Sequence, residues 1–155
     1  MRLDIQDPIV PVVAIDGPVG SGKGTISRQV ANFLGWHLLD SGALYRLVAL
    51  ASMKLGVAKN EEKYIATLAR TLVIKFDSDQ AGHTHIFLDG ENVTKDIRTE
   101  ECSRVASEVA SFSSVRAALL ELQRTFRKKP GLVADGRDIG STVFPDAFLK
   151  IYLTA

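Results

Sequence analysis

Apolar positions along the chain follow two rhythms, and the change between them divides it. Ile9 to Ile15 is a nearly unbroken apolar run, as in a strand buried on both faces. Ile26, Val30, Phe33 and Leu34 recur at helical spacing, and Gly35 stops that helix. Trp36 to Asp40 reads as a second strand, and Ser41-Gly42 opens a helix with Leu44, Leu47, Val48 and Ala51 on one face. Strand, helix, strand and helix joined by short loops predict parallel strands with right-handed crossovers. Ligands of such sheets sit at the carboxyl ends of the strands, where Asp16, the following loop, Asp40 and Ser41 gather.

The rhythm then shifts. Ile65, Leu68, Ala69 and Leu72 suggest a short helix, after which Leu72, Ile74 and Phe76 alternate, as do Ile86 and Leu88. Asp79 to Gly82 and Asp89-Gly90 supply turns, so a small antiparallel meander is expected over about 71–95. Helical spacing returns with Cys102, Val105, Ala106 and Val109, then with Val115, Leu119, Leu122 and Phe126. Lys128-Lys129-Pro130-Gly131 ends that second helix. Leu132 to Ala134 is a short buried strand leading into Asp135-Gly136-Arg137-Asp138, and Phe148 to Leu153 is the last strand. The fold class expected is α/β: a parallel sheet flanked by helices, with a small antiparallel insert. A sheet closing on a bare strand reads as a fragment.

Composition narrows the partners. Nineteen Lys and Arg against eighteen Asp and Glu leave a net charge of +1, so no global field favours nucleic acid or an anionic membrane. The N-terminus carries Asp4 and Asp7 without an apolar core, unlike a secretory signal. Lys54 and Gly56 interrupt the most apolar stretch, Leu47 to Ala58, which rules against a membrane span there. With Cys102 alone, no internal disulfide forms, and a cytoplasmic setting is expected.

The chemistry concentrates after the first strand. Gly17, Pro18, Val19, Gly20, Ser21, Gly22, Lys23, Gly24 and Thr25 form a glycine-rich loop between a strand and a helix, so the parallel sheet is expected to be of the P-loop NTPase type. Its main-chain N–H groups can cradle phosphate, the helix N-terminus adds positive potential, and the Lys23 ammonium reaches the terminal phosphates. The usual pattern places Ser or Thr directly after the lysine to hold magnesium; here Gly24 intervenes and the hydroxyl comes at Thr25.

Other groups admit two readings. Asp135 at a strand end can hold magnesium, directly or through water, and Arg137 offers a planar fork to phosphate; the alternative is a surface turn with an Arg–Asp pair. Ser41 and Arg46 can grip a second anion, or Ser41 is an ordinary helix cap. Arg98 and Arg116 read singly as solvated arginines. Arg124, Arg127, Lys128 and Lys129 read as a helix C-terminal charge bias. His83 and His85 read as strand residues.

Taken together, Ile15 to Pro18 leading into Gly22 to Thr25, then Leu39 to Ala43 with Tyr45-Arg46, Asp96 to Thr99, Ala134 to Gly140 and Val143 to Ala147 closely resemble the bacterial cytidylate kinases. The resemblance implies transfer of the ATP γ-phosphate to CMP or dCMP, with Mg2+. It implies that Lys23 and the 17–25 backbone hold ATP phosphates and that Arg46 and Arg137 grip the acceptor phosphate, with Ser41 close by. Ser107, Arg116 and Asp138 would read cytosine, and Lys23 with Arg137 would be the catalytic pair. Thr25 and Asp135 would attend the metal. A monophosphate-binding subdomain is expected over about 41–112 within a kinase core spanning 1–155, and a monomer is expected.

Family members continue into a lid bearing further arginines, a last strand and a helix. A 155-residue form alone is therefore expected to bind nucleotides but turn over poorly. Another small-molecule P-loop kinase, such as an adenylate kinase, and a catalytically silent nucleotide-binding module are the alternatives.

Overall fold

The computed structural model describes residues 9–57, 60–79 and 81–154. The reading of Asp4 and Asp7 lies outside them. Four parallel strands form the main sheet in the order β2 (His37–Asp40), β6 (Leu132–Gly136), β1 (Val12–Asp16), β7 (Leu149–Tyr152). β1 and β6 occupy the centre, and every residue of both is buried, which their apolar runs require. The first strand starts three residues later than its apolar run: Ile9 stands exposed and pairing begins near Pro11, whose carbonyl accepts from Leu132 N–H.

Helix α1 (Lys23–Leu34) covers one face, but not with the stripe expected of it. Its buried residues are Ser27 and Ala31, whereas Phe33 is 90% exposed and Ile26 lies at the surface. The inward stripe is turned by one residue because small side chains let the helix approach the sheet and set Ser27 beside Asp135. Val13, Ile15, Ala31 and Val133 form this smaller core.

The opposite face carries the larger core. Helix α2 (Ser41–Lys54) buries Leu44, Leu47, Val48 and Leu50, against which α3 (Glu62–Thr71), α4 (Glu100–Val109) and α5 (Ser113–Arg124) pack. Helix α5 ends at Arg124, earlier than its apolar spacing suggested, and Phe126 reaches the core from the following turn.

The alternating stretch forms its own sheet, β3 (Ile74–Ser78), β4 (Thr84–Leu88) and β5 (Glu91–Asn92), antiparallel throughout. Asp89-Gly90 turns the second hairpin with positive φ at both residues. Asp79 organises the first, accepting from His83 N–H at 2.9 Å and meeting the His85 ring at 3.0 Å. Both histidines thus serve the turn, and their contacts hold Asp79 down to a pKa of about 2, the His83 main chain contributing most. Among the described residues no helix is long and apolar enough to cross a membrane.

Candidate active site

Register brings the chemistry to one edge. β1 lies beside β6 with Asp16 opposite Gly136, and β2 lies on its other side with Asp40 opposite Asp135. The loop after β1, the start of α2 and the turn after β6 therefore emerge next to one another.

The loop has the backbone an anion requires. Gly20 and Gly22 adopt φ of 81° and 86°, where side chains are strained. Gly22 ends the loop as the N-cap of α1 without a side-chain cap, and no acidic residue occupies the first turn. The first N–H groups of this helix thus keep their capacity for an outside acceptor. Buried Ser21 Oγ has no hydrogen-bond partner, an orphan of the kind a bound phosphate oxygen satisfies. Lys23 Nζ donates to the Pro18 carbonyl at 3.2 Å, folded back over the loop. Thr25 Oγ1, on the exposed side of the first turn, accepts from Arg28 at 3.4 Å.

Beside the loop lies a buried carboxylate. Asp135 is 4% exposed, and its pKa is pushed up to about 7 by burial and by the negative charge of Asp40. The nearby Ser27 hydroxyl, which donates to the Lys23 carbonyl at 2.6 Å, and the charges of Lys23 and Arg28 pull the other way. Two acidic groups meeting next to a phosphate loop suit a divalent cation shared with phosphate oxygens. Among the described residues no cluster of three or more His, Cys, Asp or Glu forms an all-protein metal cage. Magnesium held mostly by phosphate fits that donor set; a structural zinc site does not.

Asp40, rather than Ser41, caps α2: its Oδ1 accepts from Ala43 N–H at 3.2 Å. The ordinary-cap reading of Ser41 is thereby removed. Its hydroxyl instead presses on Gly136, where a Cβ would stand 2.3 Å from Ser41 Oγ. Only glycine permits this approach, which sets Ser41 at the root of Arg137. Arg46 follows one turn later on α2 and is exposed, as is Arg137, and no ion pair among the described residues engages either guanidinium. Arg46 contributes through its backbone as well, its carbonyl accepting from Cys102 Sγ at 3.2 Å. Burial is the main reason that thiol's pKa is raised.

The turn after Arg137 has an anchor missed in the sequence reading as a functional residue. Asp16 is 8% exposed; its Oδ1 accepts from Ile139 N–H at 2.8 Å and its Oδ2 from Gly140 N–H at 2.9 Å. It closes the N-terminal end of a one-turn π-helix, Ile139–Val143. The nearest signal in the chain was a carboxylate ending a strand directly before the glycine loop. Tyr45 was likewise unassigned. Its pKa is raised, chiefly by burial and then by the Asp138 carboxylate, while the Arg116 charge opposes the shift.

The base-reading candidates are gathered unevenly. The charges of Asp138 and Arg116 both act on Tyr45, and Arg116 is steadied by the Ala110 carbonyl at 2.9 Å. Ser107 bonds the Ser103 carbonyl of its own helix at 3.2 Å, and α4 reaches the site through its packing on α2. Arg98 ends a 3-10 turn, Asp96–Arg98, whose next residue, Thr99, caps α4 through Cys102 N–H. Arg124 and Arg127 do more than bias a helix end. Arg124 donates to the Val143 and Thr142 carbonyls, and Arg127 spans the Val10 carbonyl and both oxygens of Asp146. They brace the segment after the π-turn.

Comparison with known proteins gives the family. The cytidylate kinase family profile matches residues 13–155. Cytidylate kinases of Nitrosococcus oceani and Nitrosomonas eutropha are each 54% identical, over 94% and 97% of this chain. That of Bordetella bronchiseptica is 52% identical over the full chain. The match spans 65% of the length of the first two proteins and 67% of the third.

Proposed function

Because this chain belongs to the cytidylate kinase family, we propose that its protein transfers the γ-phosphate of ATP to CMP or dCMP, yielding ADP and CDP or dCDP. The observation that carries this reading is the register of Asp16 opposite Gly136. It starts the loop suited to a donor phosphate and the turn bearing Arg137 from neighbouring strands. An acceptor oxygen can thus face a donor phosphorus without either anion crossing the sheet.

In this reading the 17–25 amides, the Ser21 hydroxyl and the Lys23 ammonium bind donor phosphates. Arg46 and Arg137 hold the acceptor phosphate, Ser41 beside them. Both groups of cations face charge that spreads over the equatorial oxygens during transfer, so Lys23 and Arg137 stabilise the transition state more than either ground state. Thr25 and Asp135 would hold Mg2+, which, when bound, neutralises phosphate charge. Residues about 41–112 serve as the monophosphate-binding subdomain, whose α2 and α4 present Arg46 and Ser107.

Cytosine carries an amine beside ring acceptors. Asp138 and the Ser107 hydroxyl accept from the amine, while Arg116 donates to the acceptors. Uracil sets an oxygen against the Asp138 carboxylate, an unpaired polar contact that a site built to accept from an amine rejects. The protein is proposed to act as a monomer in the cytoplasm.

The test is ADP release with CMP, dCMP, UMP and AMP as acceptors, together with calorimetric binding of each. Selective binding of CMP and dCMP, with ADP formed only in their presence, is expected. Equal acceptance of AMP would favour a different nucleoside monophosphate kinase, and nucleotide binding with no ADP from any acceptor would favour a silent binding module.

A further inference from the structure

A second cavity lies away from the nucleotide edge. It has a volume of about 440 Å³ and opens where β2 begins, at His37, whereas the phosphate loop lies at the other ends of the strands. β2 ends the parallel sheet and β3 ends the antiparallel one. The two strands contact each other without a hydrogen-bonded ladder, and the cavity occupies their seam with the end of α5 as its floor.

Its walls have the make-up of a ligand site. Leu38, Phe76 and Phe126 supply apolar surface, and the two rings meet at 5.9 Å with a 48° tilt. Every ionisable group among the lining residues is basic: Lys75, Lys128 and His37. The His37 ring faces the Lys129 carbonyl at 3.0 Å, which only accepts, so Nε2 carries the proton. Lys75 has only a loose partner, Asp77 at 3.7 Å, with both side chains more than half exposed. Such a pair yields readily to a better anion. Cavities of roughly 300–1,000 Å³ with an apolar body and a few placed charges are the ordinary form of small-molecule sites.

We propose that this seam binds a compact aromatic anion: a one- or two-ring body against Phe76 and Phe126, its carboxylate, sulfonate or phosphate held by Lys75 and Lys128. The occupant would bridge the parallel core and the antiparallel insert, because β2 and α5 belong to the first and β3 to the second.

The experiment uses naphthalene-1-sulfonate as the probe and 1-naphthylmethylammonium as its cationic counterpart, titrated calorimetrically into the full chain. Saturable one-to-one binding of the sulfonate, with at least about tenfold weaker binding of the ammonium, is expected. Lys75→Glu with Lys128→Glu should weaken the sulfonate about tenfold or more. Val73→Trp should abolish binding by filling the cavity mouth, and because Val73 is 67% exposed this variant should keep the parent's unfolding temperature. Saturating ATP and CMP should leave binding unchanged, so the result stands whether or not the kinase reading does. Absence of saturable binding, equal binding of the ammonium, indifference to both variants, or displacement by nucleotide would each overturn the proposal.

Discussion

Asp16 and Ile139, far apart in sequence, are joined by a 2.8 Å hydrogen bond from the Ile139 N–H to the Asp16 carboxylate. With the matching bond from Gly140 at 2.9 Å, one side chain ties the start of the phosphate loop to the turn that carries Arg137 and Asp138. Asp16 touches no substrate in the proposed reaction; it positions those that do.

Asp16→Asn keeps the shape but sets an amide N–H against a main-chain N–H. Each charged hydrogen bond is worth roughly 1.5–3 kcal/mol. We expect a loss of about 2–4 kcal/mol of stability in urea unfolding, with CMP affinity falling more than ATP affinity. Equal losses for both nucleotides would reduce Asp16 to a purely structural residue.

Gly136→Ala would drive a methyl group into Ser41 Oγ, 2.3 Å from the added carbon. The strain should cost about 1–3 kcal/mol. Separation of Ser41 from Arg137 should weaken CMP binding while ATP binding persists. Ser41→Ala in the same background relieves the clash, and recovery of stability there checks the cause.

The Asp135 pKa of about 7 makes stability depend on pH. Because the folded value lies above the ordinary one, the native state keeps a proton that the unfolded chain gives up. Stability from this group is complete below about pH 4, falls as pH rises toward 7, and changes no further above that. The total is on the order of a few kcal/mol. Denaturant unfolding from pH 4 to 8 should show this decline, and Asp135→Asn should flatten it.

Lys23→Met removes the ammonium over the loop but leaves the amides and Ser21. Loss of one preorganised donor costs roughly 10²- to 10³-fold in rate. ADP release should fall by that factor, with CMP affinity little changed. A variant that loses CMP binding equally would show that the two nucleotide sites are not separate.

Much of this was legible in the chain, for physical reasons. The continuous apolar runs of β1 and β6, bounded by turn residues, fit strands buried on both faces, and the glycines at 20 and 22 permit the positive φ that the loop adopts. The Asp89-Gly90 hairpin followed from the same backbone argument. What stayed hidden depended on contacts between distant segments. Phe33 has the spacing of a core residue, yet α1 buries the small Ser27 and Ala31 against the sheet, so Phe33 faces out. Asp16 bonds main-chain groups, Ile139 N–H and Gly140 N–H, that exist in every sequence and so leave no residue signature. Asp40 outcompeted Ser41 as the cap because local spacing cannot tell which of two adjacent oxygens points along the helix.

Neighbouring strands lie about 4.8 Å apart, a separation fixed by the peptide hydrogen bond itself. Since β1 and β6 are such neighbours, with Asp16 opposite Gly136, that length acts as a built-in gauge between the roots of the two anion sites. The antiparallel insert takes no part in that pairing, so substitutions there should leave unchanged the span across which phosphorus travels in the proposed reaction.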